Sequence, residues 1–137
     1  LQAADRSGTM PLSWKKEYEQ SSPSGMAAAV DIYQCRAELI RNADTIRDFV
    51  VRLCDRLDEK RSGECQLVDF VEKDKSSGFL MNQFMETSQI SGRFAHTTNA
   101  VYLDLFSCRF FEPRKIAEFA TAFFDGANYK NQVTLRQ

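Results

Sequence analysis

GFLMNQFMETSQISGRFAHTTNAVYLDLFSC, residues 78–108, is the stretch around which the rest of the chain reads. Gly78–Thr87 has no proline and carries Phe79, Leu80, Met81, Phe84 and Met85. That predicts a strand buried on one face and partly on the other. Ser88 and Ser91 stand beside Gly92, where the backbone has dihedrals closed to other residues, so a strand or a tight turn is expected there. Val101, Leu103 and Leu105 alternate with Tyr102, Asp104 and Phe106, the period-2 pattern of a second buried strand that closes on Ser107-Cys108.

Upstream, Met26–Tyr33 (MAAAVDIY) reads as a first strand whose small side chains allow close packing, and Cys35–Arg41 as a short turn of helix. Ile46, Phe49, Val50, Leu53 and Leu57 recur at i, i+3, i+4, i+7 and i+11, so Ala43–Asp58 is predicted as an amphipathic helix capped by Asn42 or Asp44. Arg61–Gly63 is expected to turn the chain, Cys65–Val71 to form a strand, and Glu72–Ser77 an exposed loop. Downstream, Glu112-Pro113 marks a helix start. Ile116, Phe119, Ala120, Phe123 and Phe124 give that helix its buried face, and Gly126 is placed to end it. Val133 and Leu135 suggest a last edge strand. The order is β-α-β-β-β-α-β, with one strand more if Ile90–Phe94 counts separately. It predicts an α+β two-layer sandwich, an antiparallel or mixed sheet with two helices on one face. Residues 1–25, small, polar and punctuated by Pro and Gly, are expected as a flexible tail in which only Leu12, Trp14 and Tyr18 have surface to dock; residues 26–137 form the single domain.

The chain has 137 residues, 43% hydrophobic, with Phe in 11 copies as the main core filler, enough for one well-packed domain. A formal net charge of −1 gives no field that would recruit nucleic acid or an anionic membrane, and no apolar run has the length of a bilayer span. A cytoplasmic protein acting on a small molecule is the expectation. Cys35, Cys54, Cys65 and Cys108 show no CxxC spacing and His96 is the only histidine, which argues against a metal site and against a disulfide framework. Three of the thiols are expected as buried small hydrophobes, with Cys108 the exception.

Glu86–Cys108 resembles the active-site region of the prokaryotic S-adenosylmethionine decarboxylases. That family has an acidic residue and a serine at a self-cleavage site, a histidine five positions after the serine, and a strand ending D-[LI]-F-[ST]-C. Here Ser88 precedes Cys108 by 20 positions, and Asp104-Leu105-Phe106-Ser107-Cys108 matches the strand. Asp31, Tyr33 and Cys35 before a helix, and Gly78 opening the strand into the site, are also similar to the family, and the likeness spans about residues 25–136. It implies an S-adenosylmethionine decarboxylase-like fold and a pyruvoyl group derived from Ser88, with no metal. The serine hydroxyl would attack the carbonyl of Thr87, and β-elimination of the ester would leave fragments 1–87 and 88–137. The ketone would then condense with the substrate amine and draw electrons as the carboxylate leaves, and Cys108, a thiol still protonated at neutral pH, would return the proton. Scission needs a strained peptide and donors for the oxyanion, both expected of a serine beside a Gly-containing turn. The resemblance further implies action in polyamine synthesis and a homodimer whose sites draw on both subunits.

The departures are specific. Arg93 stands where the family has its histidine. It stays protonated, so it serves there as a fixed charge on an oxyanion or as a clamp for a carboxylate other than the one that leaves, and not as a base. Leu80 replaces a family serine, Thr87 rather than a glutamate precedes Ser88, and Arg93-Phe94-Ala95-His96-Thr97 replaces the family's HTWPE-like run. His96 can replace the missing histidine only through a bulge, because residues an odd number apart face opposite sides of a strand. Glu86 shares strand parity with Ser88 and is the candidate substrate contact. Three functions follow: a pyruvoyl-dependent decarboxylase of S-adenosylmethionine or of a related amino acid such as ornithine or arginine; an uncleaved homologue that binds a ligand or regulates a partner; and an unrelated α+β interaction domain.

Overall fold

A computed structural model describes residues 2–137, apart from the side chains of Lys75 and Ser76. Its elements are β1 (Ala4–Asp5), α1 (Trp14–Ser21), β2 (Gly25–Tyr33), α2 (Ala37–Ile40), α3 (Ala43–Arg56), β3 (Arg61–Glu72), β4 (Lys75–Met85), β5 (Ser88–Ala95), β6 (Ala100–Ser107), α4 (Pro113–Phe123) and β7 (Asn128–Arg136). The strands form one mixed sheet in the order β1-β7-β2-β6-β5-β4-β3, parallel only at β1–β7. The α+β class is as expected, and Ile90–Phe94 does belong to a strand of its own.

Alternation fixes the layers. Met26, Ala28, Val30 and Ile32 on β2, Val101, Leu103 and Leu105 on β6, Ile90 and Phe94 on β5, and Met81 and Met85 on β4 all point to one face and are buried there. α3 and α4 cover that face. Phe49 of α3 stacks on Phe119 with ring centres 5.7 Å apart and meets Phe124 at 4.8 Å, and Phe124 reaches Phe94 at 5.4 Å. Asn42 caps α3 by accepting from the Thr45 N–H at 3.1 Å. Pro113 opens α4, where Glu112 accepts from the Arg114 N–H at 3.3 Å.

Several local expectations are corrected. Arg61–Gly63 does not turn the chain but begins β3, which accommodates a bulge between Ser62 and Gln66. In place of a loop at 72–77, β3 and β4 are joined by two residues, Lys73 and Asp74, at φ 50° and 63°. Both lie in the left-handed region that the twist of a tight hairpin demands. No glycine marks this turn, so composition hid it. At the end of α4 the left-handed residue is Asp125, φ 54°; Gly126 is needed because a Cβ there would overlap Ile32 Cγ2. β7 is not at an edge, since β2 pairs with it on one side and β1 on the other. The segment expected as a tail carries β1 and α1. Trp14 is buried, Tyr18 meets Phe110 edge-on at 5.5 Å, and Leu12 is exposed.

Candidate functional site

Thr87 and Ser88 lie where the chain enters β5 from β4. Ser88 pairs with Ser107 across β5–β6, and Ser107 with Met26 across β6–β2, so the serine sits inside the sheet at one end of three central strands. Its side chain points to the helix-covered face and is buried. The Ser88 hydroxyl donates to Ser107 Oγ at 2.8 Å, which also accepts the Arg109 N–H at 3.0 Å. The Thr87 carbonyl accepts the Cys108 N–H at 2.8 Å. One donor therefore already faces the oxygen on which charge would develop if Ser88 attacked this carbonyl.

Cys108 follows β6 directly and is exposed, one residue out of phase with buried Ser107. The other cysteines differ. Burial pushes the Cys35 thiol up to about 12 and Cys54 up to about 11, and Cys65, half-buried, is also raised by burial.

Arg93 is five residues along β5 from Ser88, about 16 Å at the usual strand rise, and on the other face. It is exposed, its guanidinium 5.2 Å from the Phe70 ring centre and 5.9 Å from that of Tyr102. Leu80 pairs with it directly. The two positions at which this chain departs from the family's serine and histidine are therefore neighbours, far from Ser88 within one chain. They line an open-face hollow of about 450 Å³ with Ser91, Tyr102 and Asp104. His96 lies beyond the far end of β5. Its N–H donates to the Ser77 carbonyl at 2.8 Å, and burial together with the Arg41 charge lowers its pKa. It is no nearer to Ser88 than Arg93 is.

Gly92 is mid-strand rather than in a turn, and Ser88 has no strained neighbour: Glu86, Thr87 and Ser88 all have negative φ. Gly92 is small for packing, since an added Cβ would come within 2.9 Å of Leu103 Cδ2. The donor to the Thr87 carbonyl is the Cys108 N–H across the sheet, not a glycine turn.

Glu86 is exposed, its N–H donating to the Lys60 carbonyl at 3.1 Å. With Asp55, Asp58, Glu59, Lys60, Thr87 and Arg109 it lines a cleft of about 430 Å³ beside the Thr87–Ser88 bond. Within that cleft are two groups that the sequence did not single out. The Thr87 N–H donates to Glu59 Oε1 at 3.1 Å, the Thr87 hydroxyl donates to Glu59 Oε2, and Arg109 grips the same carboxylate through Nε at 2.9 Å and Nη2 at 2.6 Å. Burial works to raise the Glu59 carboxyl, but the Thr87 donors and the Arg109 guanidinium outweigh it and hold the group below the ordinary glutamate range. Glu59 and Thr87 are 28 residues apart in a charged run without local signal. The one hint was that Arg109 adjoins Cys108.

Among the described residues, no three His, Cys, Asp or Glu side chains come together to hold a metal ion, and no helix is long and apolar enough to cross a membrane.

Residues 26–137 match the model of the family described as S-adenosylmethionine decarboxylase. No curated protein matches the chain in sequence. Among solved structures, the fold is similar to the crystal structure of the adenosylmethionine decarboxylase from Aquifex aeolicus VF5, with a TM-score of 0.68 over 83% of this chain and 91% of that one, at 15% identity.

Proposed function

We propose, from the premise that this chain belongs to the S-adenosylmethionine decarboxylase family, that it is a pyruvoyl-dependent decarboxylase formed by scission of its own Thr87–Ser88 bond. The observation that carries this reading is the pairing at one peptide: a buried serine hydroxyl with a hydrogen-bond acceptor, and a preceding carbonyl that already accepts the Cys108 N–H.

The residues present fit the formation of such a group. Ser88 Oγ bonds to the Thr87 carbonyl carbon and gives up its proton, with Ser107 Oγ as its first acceptor. The Thr87 C–N bond breaks and the Ser88 nitrogen takes up a proton, so an amide becomes an ester. The Cys108 N–H stabilises the oxyanion in between. Elimination then removes the Ser88 Cα proton and the Cβ–Oγ bond, releasing Thr87 as a carboxylate, and water replaces the nitrogen of the remaining enamine as ammonia. The resulting ketone at position 88 supplies an electron sink for loss of CO2 from a bound amino acid. Cys108 Sγ, accessible at the strand end, holds the proton such a reaction must return. Glu86, at the rim of the same cleft, is the residue we assign to the substrate amine, with S-adenosylmethionine or a related amino acid as substrate.

The proposal includes a homodimer. Val68, Leu80, Phe84 and Phe106 are exposed on the sheet face opposite the helices, and Leu80 and Arg93 are too far along that face to reach Ser88 of the same chain. A second copy laid on this face covers the apolar surface and the hollow at Leu80 and Arg93.

One observation favours a second reading, an uncleaved homologue that binds a ligand or regulates a partner. Both positions at which the family carries serine and histidine are filled here by side chains that cannot act as bases, Leu80 and Arg93. Intact mass after denaturation separates the two. The decarboxylase predicts fragments 1–87 and 88–137, the smaller blocked to N-terminal sequencing and reactive toward hydride or hydroxylamine. A single unbroken chain rejects it in favour of the homologue.

A further inference from the structure

We infer that Glu59 and Arg109 are positioning residues for scission of the Thr87–Ser88 bond. The inference rests on the self-cleavage proposed above and adds to it the groups that hold the scissile peptide.

Every polar atom of Thr87 is engaged. Its N–H and hydroxyl both donate to the Glu59 carboxylate, and its carbonyl accepts from Cys108. The peptide that follows cannot rotate without breaking one of these bonds, so the Thr87 carbonyl is held in one orientation beside Ser88. The anchor is itself fixed. The Glu59 side chain is only 3% exposed, and its N–H donates to the Cys54 carbonyl at the end of α3. Arg109 Nη2 donates to the Leu57 and Asp58 carbonyls at 3.1 and 3.0 Å as well as to the carboxylate. Arg109 also connects the clamp to the nucleophile, since its own N–H donates to Ser107 Oγ, the acceptor of the Ser88 hydroxyl.

Charge decides why two residues are required. A lone carboxylate beside Thr87 would repel the oxyanion that develops on the Thr87 oxygen. Arg109 cancels that charge while leaving the carboxylate's acceptor sites in place. The pair therefore grips without opposing the reaction, and loss of Arg109 alone is predicted to be worse than loss of Glu59 alone.

The test follows the fraction cleaved over time, by denaturing electrophoresis, in the full-length parent, Glu59→Gln, Arg109→Met, the double variant, and Asp48→Asn as a control, an exposed acidic residue of α3 paired with Arg52 and outside the cleft. Circular dichroism confirms that each is folded at the assay temperature. Loss of a charged hydrogen bond at the scissile residue predicts cleavage slowed roughly tenfold to a hundredfold in Glu59→Gln. It predicts slower cleavage still in Arg109→Met, partial recovery in the double variant, and the parent rate in the control. A structural staple alone would not give the parent a rate that falls in acid as Glu59 protonates, below the usual 4.5, with that fall missing in Glu59→Gln. Should Glu59→Gln not fold, Thr87→Val, which removes only the hydroxyl arm of the clamp, is read in the same way. If the parent cleaves and these variants match it, the positioning role is overturned while self-cleavage stands. If the parent never cleaves, self-cleavage falls and this inference with it.

Discussion

Cys108 and the other thiols show how one residue type takes different roles from its surroundings. Cys35 and Cys54 are buried, and burial disfavours the thiolate, pushing them up to about 12 and 11. Cys108 is exposed at a strand end. At pH 7–8, iodoacetamide is therefore expected to modify Cys108 first, with Cys35 and Cys54 modified only after unfolding; peptide mapping by mass spectrometry checks the order. Modification of Cys35 ahead of Cys108 would contradict the burial assigned to it. Two of the three thiols expected to be buried, Cys35 and Cys54, are so, because a core-rich chain without paired spacing leaves thiols as packing atoms, whereas Cys65 on β3 is only half-buried. The Glu59–Thr87 bonds were not foreseeable from sequence. Neither residue carries a local pattern, and their meeting depends on how the end of α3 returns to the sheet.

At the scale of elements, α3 was legible because five apolar residues at helical spacing leave one face to bury, and the Asn42 cap was among the expected choices. β6 was legible for the analogous reason at period 2. The β3–β4 turn was not, because Lys73 and Asp74 adopt left-handed dihedrals that glycine or asparagine more often signal. Two substitutions test the packing. Asn42→Ala should lower stability by about 1 kcal/mol through loss of one capping bond. Gly126→Ala should cost more, about 1–3 kcal/mol, because the new Cβ overlaps Ile32 Cγ2 on a central strand that cannot shift freely. Urea titrations with unchanged slopes would read both. A Gly126→Ala chain as stable as the parent would show that β2 and the end of α4 are less tightly joined than described.

At the scale of the whole molecule, one sheet face is covered by α3 and α4 and the other is open. The open face carries Phe84, half exposed at 50%, and Phe106 two strands away, with Leu80 and Val68 paired nearby. If this face seats the second copy, Phe84→Glu should convert a dimer to a monomer, read by sedimentation, while circular dichroism still shows a folded chain. A parent already monomeric at micromolar concentration would remove the dimer from the proposal. Sequence alone determined the class of fold and the family, because alternation, helical spacing and the Asp104–Cys108 string are local properties that fix which faces are apolar and where a strand ends. Only tertiary structure decided what surrounds the Thr87–Ser88 bond. It brought Glu59 to Thr87 and Arg109 to Glu59, set Cys108's amide on the Thr87 carbonyl with its thiol exposed, and left Arg93 on the open face. These are contacts between residues tens of positions apart, and their geometry follows from strand order and register, which no single segment encodes.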